Sequence, residues 1–257
     1  MFPSLPFGPL SLPTGPVVTL IAVMLGLETA GRYGRRLGLA ADDVWNTGML
    51  ALLAGLIVAR LWNVIQFLDI YLAEPGLLLS LRPSGFVLLP GVVAAVVVAY
   101  AYLLRKALDP VRIAAAFAMG ALAAGILLSI GAFLTGSTVG MPGNAPWALP
   151  YFGELRYPVA LYQAAGVATL LTILWVTQDG HRPGRTLLLV ALGYSLVRLF
   201  TDGFVDRVPL IGEFRASQIV ALIAALGVTL LLARGEKSKP AMITDSPPSA
   251  PPEATLG

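Results

Sequence analysis

Arg198 and Asp202 lie four residues apart in GYSLVRLFTDGFVD. At helical spacing they share one face, where arginine's planar fork can grip a phosphate while the carboxylate holds it oriented. The same pair can instead be a neutral ion pair that lets an apolar helix insert. Arg60, in ALLAGLIVARLWNVIQF, poses a related question, with Asn63 three residues on and Gln66 six on. A guanidinium in hydrocarbon costs about 2.5–3.5 kcal/mol on insertion scales. Arg60 therefore either snorkels to the interface and pairs with a carboxylate, or contacts a lipid phosphate. Arg156 opens RYPVALYQA at the edge of an apolar run, a position that suits interfacial anchoring better than catalysis.

Other chemistries are poorly supplied. The chain has no cysteine, which removes disulfides, thiolate ligands and thiol nucleophiles. Its single histidine, His181, sits in the polar stretch TQDGHRPGR without an acid or hydroxyl spaced for a triad, and reads as a solvated loop residue. The scattered carboxylates form no metal-binding cluster, so no metal and no cofactor are expected. A net charge of +3 is too small to point to nucleic acid.

The elements that must position these residues are membrane helices. Apolar residues make up 57% of the 257 and charged residues 12%, about half the charge density of a soluble domain. Gly85–Leu104 carries no ionisable side chain apart from its tyrosines and, as a helix, reaches roughly 30 Å, the thickness of bilayer hydrocarbon. Similar runs occur around 16–31, 46–67, 112–135, 158–177, 186–203 and 217–234. Backbone amides in lipid must be paired within their own segment, and the alternation of barrel strands is absent. The expectation is an all-α polytopic membrane protein of seven transmembrane helices.

Seven helices also sort the charge. One side collects Arg32, Arg35, Arg36, Arg105, Lys106, Arg112, Arg182, Arg185, Arg234, Lys237 and Lys239, eleven of the seventeen basic residues. The other holds Arg82, Arg156, Arg207 and Arg215, which puts the N-terminus outside and the C-terminus in the cytoplasm. The proline-rich N-terminus lacks a signal peptide's basic flank and is expected to be retained. Residues 1–235 read as one membrane domain, and 236–257, rich in proline, serine and charge, as a disordered cytoplasmic tail. DIYLAEPGLLLSL at 69–81 suits an interfacial position, and the loop at 136–157, with Trp147 and Tyr151, suits the headgroup level. Gly120, Gly125, Gly131 and Gly136 fit close helix packing better than a phosphate cradle.

Read in order, several segments resemble prolipoprotein diacylglyceryl transferases. GPLSL at 8–12 looks like that family's entry segment, and RRLGLAADDVWNTGMLALLAGLIVARLWNVI like its second-helix region, including Arg60. RYPVALYQA is similar to the family's RHPSQLYEA, retaining Arg156, Pro158, Leu161, Tyr162 and Ala164, with Gln163 in place of a glutamate and Tyr157 in place of a histidine. GYSLVRLFTDGFVD resembles the segment whose arginine and acidic residue fall on Arg198 and Asp202, and RASQIVAL the opening of the last helix.

Other family positions are changed. The HGG motif appears as LPG, with Leu89 and Pro90 at its first positions. The GRxGNFxNGE signature lines up with LSIGAFLTGS, placing Ser129, Ala132, Thr135 and Ser137 where arginine, two asparagines and glutamate are expected. The resemblance implies a bacterial inner-membrane protein that binds phosphatidylglycerol-type anionic phospholipid and transfers its diacylglyceryl group to a lipoprotein cysteine, with the prolipoprotein signal peptide as partner. It implies phosphate binding by Arg60, Arg156 and Arg198, catalytic roles for Arg198 and Asp202, and polar support from Asn63, Tyr162 and Gln163. The substitutions leave a second reading open, a catalytically silent lipid-binding or chaperone-like paralogue. A small transporter is a third, although no inverted repeat is visible.

Overall fold

A computed structural model describes residues 4–7, 10–79, 85–151, 153–206, 210–211 and 214–237. A short antiparallel hairpin, β1 (Ser4–Phe7) and β2 (Leu10–Pro13), leads into α1 (Thr14–Arg36). Then come α2 (Ala41–Gln66), the short α3 (Leu68–Ala73), α4 (Leu88–Lys106) and α5 (Pro110–Thr135). A second hairpin, β3 (Leu149–Tyr151) and β4 (Glu154–Arg156), precedes α6 (Val159–Thr177) and α7 (Pro183–Thr201). A last small hairpin, β5 (Leu210–Ile211) and β6 (Phe214–Arg215), opens α8 (Ala216–Lys237).

The chain is an all-α polytopic membrane protein. Helices α1, α2, α4, α5, α6 and α7 are each long and apolar enough to cross a bilayer. In α8, which has 22 residues, the apolar stretch with described side chains is Ser217–Thr229. Several helices outrun the apolar runs that mark them, because an arginine at a helix end reaches the interface without breaking the backbone ladder. Thus α1 continues through Arg35 and Arg36, and α7 starts at Pro183, whose missing N–H costs nothing in the first turn. Asp202 lies just beyond α7 and begins a single 3₁₀ turn, Asp202–Phe204. Of the expected tail, residues from 238 onward lie outside the described residues.

Two local signals set the tight connection between α4 and α5. Ala107 takes a left-handed conformation at φ 51° to close α4, and Asp109 accepts a hydrogen bond from Val111 N at 2.9 Å as N-cap of α5, with Pro110 following. Gly136, at φ 69°, closes α5 in the same left-handed way.

Helices in lipid gain little from apolar burial against one another, so close backbone approach matters most. A Cβ on Gly120 would overlap the carbonyl of Gly26, fixing the crossing of α1 and α5. Gly55 and Gly91 do the same for α2 and α4, a Cβ on Gly91 falling 2.8 Å from Gly55 O. Of the other α5 glycines, Gly131 sits against Val18, while Gly125 has only ordinary contact with Val167 at 3.8 Å.

The interior is not uniform along its length. At the basic end, where α1 gives way to α2, α4 to α5 and α6 to α7, a continuous apolar cluster includes Tyr33, Leu37, Val44, Leu103, Ile113, Met119 and Leu174. Arg36 lies over the Trp175 ring at 4.5 Å and donates to Trp175 O at 2.6 Å, tying α1 to the end of α6. Towards the opposite end the buried residues include Thr14, Asn63, Ser129, Ser195, Thr201 and Asp202. That polar half is where a ligand with polar groups can be accommodated.

Candidate functional site

Arg198, in the last turn of α7, points Nη2 to Asp202 Oδ2 at 3.0 Å. The aspartate side chain is buried, and the arginine keeps about a third of its side-chain surface, 36%, accessible. Asp202 is its one charged partner among the described residues. Beside the guanidinium a cavity of about 460 Å³ runs along the seam of α7 and α8, lined by Tyr194, Ser195, Arg198, Ser217, Val220, Ala221 and Ala224. Here a fixed carboxylate holds one edge of a cation while further N–H donors stay beside a void, an arrangement able to take an anion.

Arg60 is engaged differently. Its Nη1 donates to Gly85 O at 2.9 Å and its Nη2 to Leu77 O at 2.6 Å, while the guanidinium lies 5.5 Å from the Tyr71 ring and 5.4 Å from Phe86. Tyr71 Oη donates to Asn63 Oδ1 at 2.8 Å, so Arg60 and the buried Asn63 are joined through one tyrosine. Together they fasten the connection between α2 and α4 back onto α2. In that connection Leu68, Ile70 and Leu72 are exposed apolar side chains on α3.

Arg156 knots the two other connections at the same end. Nη1 donates to Asp206 Oδ2 at 2.7 Å and to Gly140 O at 3.1 Å, and Nη2 to Glu154 Oε2 at 2.9 Å. The backbone repeats the link: Met141 N donates to Phe204 O at 2.8 Å, Asp206 N to Val139 O at 2.9 Å and Tyr157 N to Met141 O at 3.2 Å. The hydrogen bond to Asp206, followed by the charge of Glu154, holds the Arg156 pKa above its ordinary value despite some desolvation. Arg156 Nε is buried with no hydrogen-bond partner among the described residues.

Tyr162 accepts a hydrogen bond from Trp147 Nε1 at 2.8 Å, and its ring meets Phe204 edge-on at 6.2 Å. Gln163 is half-buried beside it on α6. These contacts join Tyr162 to the loop held by Arg156, whereas Arg60 and Asn63 form a separate cluster on α2. The described ion pairs and hydrogen bonds do not connect Arg60, Arg156 and Arg198 directly. Elsewhere, Ser129 is buried in α5, Thr135 Oγ1 is turned back onto Gly131 O at 2.8 Å, and Leu89 is exposed.

His181 sits in the exposed connection between α6 and α7, its Nδ1 3.2 Å from Asp179 Oδ2. The His181 backbone N–H is the main cause holding the Asp179 carboxyl below its usual value. Among the described residues no group of three or more His, Cys, Asp or Glu side chains is placed to hold a metal.

Sequence reasoning missed three participants. Asp206 partners Arg156 across fifty positions, Tyr71 joins Asn63 to Arg60, and Ser217 brings a buried hydroxyl to the Arg198 cavity. The opening RASQ of α8 gives no local sign that Ser217 lines the cavity beside Arg198.

A family model described as prolipoprotein diacylglyceryl transferase matches residues 5–234. The phosphatidylglycerol-prolipoprotein diacylglyceryl transferase of Clostridioides difficile is 24% identical over 212 residues, covering 82% of this chain and 86% of the relative. The protein of that name from Finegoldia magna is 26% identical over 224 residues, covering 86% and 90%.

Proposed function

This chain belongs to the prolipoprotein diacylglyceryl transferase family, and we propose that it binds phosphatidylglycerol at Arg198 and transfers the diacylglyceryl group to a prolipoprotein cysteine. The supporting observation is the guanidinium itself, oriented by buried Asp202 at 3.0 Å and bordered by a 460 Å³ cavity. In this reading the protein is a seven-span component of the bacterial inner membrane, N-terminus outside, with the lipid drawn from the outer leaflet. The signal peptide of the acceptor is its protein partner.

The reaction balances without a cofactor. The acceptor sulfur forms a bond to the terminal glyceryl carbon, the bond from that carbon to the phosphate oxygen breaks, and glycerol phosphate departs. The thiol proton ends on the departing phosphate, whose second pKa near 6 makes it a competent acceptor. Arg198 stabilises charge as it gathers on the leaving oxygen, a contribution typically of about 10²–10³-fold. Asp202 orients Arg198 through their 3.0 Å ion pair. Arg156, Tyr162 and Gln163 line and brace the loop over the lipid head, and Arg60 with Asn63 secures the neighbouring connection, where lipid phosphate is a further contact for either arginine.

The test supplies this protein to membranes depleted of their own transferase activity and follows lipid-labelled prolipoprotein. Product that disappears with Arg198→Ala supports the reading. No product at any protein level, with phospholipid still co-purifying, overturns the transferase and leaves lipid binding alone.

A further inference from the structure

Ser217, in the first turn of α8, has a buried Oγ with no hydrogen-bond partner among the described residues, and it lines the same cavity as Arg198. A hydroxyl withdrawn from water and left unmatched is unfavourable, so such a group commonly marks the place of a missing partner. The cavity is graded along its length. Arg198 and Ser217 face it from the adjoining ends of α7 and α8. Ser195 and Tyr194 follow one turn deeper on α7, and Val220, Ala221 and Ala224 continue the wall on α8. Small side chains at 221 and 224 leave width for a hydrocarbon chain, and the lining there is apolar. An amphiphile with an anionic head matches this order in polarity and charge: head at Arg198 and Ser217, chain along Val220, Ala221 and Ala224.

We infer that Ser217 is a head-positioning residue, its Oγ–H donating to a phosphate oxygen of the lipid that Arg198 holds, with one acyl chain lying in the α7–α8 seam. This rests on the function proposed above and adds to it a second polar contact and a direction for the chain. With both contacts present, the phosphate is fixed at two points and cannot swing about the arginine alone.

The test measures binding of phosphatidylglycerol to the purified full chain in detergent, using wild type, Ser217→Ala, Ser217→Thr and Arg198→Ala, with inorganic phosphate as competitor. Loss of one hydrogen bond to a charged group weakens binding by about 10-fold, so Ser217→Ala is expected to bind about 10-fold less tightly and Ser217→Thr to recover most of that. Helix content and detergent elution of Ser217→Ala should match wild type. If Ser217→Ala binds within twofold of wild type while Arg198→Ala is weakened, the Ser217 inference fails and the proposed function stands. If neither substitution weakens binding, both fail. If Ser217→Thr is as weak as Ser217→Ala, the hydroxyl is not the cause and the inference fails. Displacement of the lipid by millimolar inorganic phosphate would assign the site to a free anion and overturn the acyl-chain placement.

Discussion

Arg198 and Asp202 stand 3.0 Å apart at the junction of α7 with the turn that follows, the aspartate buried and the arginine open to a cavity. The pair is therefore asymmetric: one member is fixed by the fold and the other is free on one side to bind. Arg198→Ala should lower transfer about 10²–10³-fold and release bound phospholipid. Arg198→Lys should fall between, since an ammonium keeps the charge but loses the two-pronged geometry. Equal activity of Arg198→Ala and wild type in the labelled-prolipoprotein assay would remove Arg198 from the mechanism.

Arg60 donates to two carbonyls that lie 17 and 25 residues further along the chain. Arg60→Ala should release the connection between α2 and α4, raising amide hydrogen exchange there by about 10-fold, one net hydrogen bond's worth or slightly more. Lost lipid with unchanged exchange would instead make Arg60 a direct ligand.

Arg156 and Asp206 couple loops that are distant in sequence. Arg156→Ala and Asp206→Asn should each loosen the connection bearing Trp147 from the turn bearing Phe204. Misplacement of that loop should reduce transfer by up to about 10²-fold. The double variant should be little worse than Arg156→Ala, because that substitution already removes the Arg156–Asp206 bond along with the bonds to Gly140 and Glu154. Fully additive losses would show that the two residues act separately.

Gly120 leaves no room for a side chain against Gly26 O. Gly120→Ala should destabilise the bundle by about 1–3 kcal/mol, read as earlier unfolding on transfer into denaturing detergent. An unshifted transition would mean that α1 and α5 can separate without cost.

A chain without cysteine permits clean topology mapping. Ser137→Cys and His181→Cys place single thiols on exposed residues in connections at opposite ends of the bundle. An impermeant maleimide should label position 137 in intact cells and position 181 only after permeabilisation. The reverse pattern would invert the proposed orientation.

Six of the seven expected spans were legible because lipid imposes a blunt requirement, about twenty apolar residues with paired backbone, that GFVLLPGVVAAVVVAYAYLL meets without help from the rest of the chain. Arg198 and Asp202 were legible for the same reason: charge inside such a run is rare enough to notice, and their spacing is local. What Arg60 does could not be read, since its acceptors are backbone carbonyls made available by the course of the chain at 77 and 85. Asp206 and Ser217 carry no local sequence signal of the partners they meet in the fold. Their significance comes from long-range packing of loops and helices, which leaves no periodicity in the sequence.

The unequal interior of the bundle bears on permeability. An apolar cluster around Tyr33, Met119 and Leu174 closes the basic end, where the buried hydroxyls of Thr47 and Thr186 are matched internally, while buried Asn63, Ser195 and Asp202 lie in the opposite half. Under the proposed function, a lipid entering that half would leave the packed apolar end undisturbed as the barrier across the membrane.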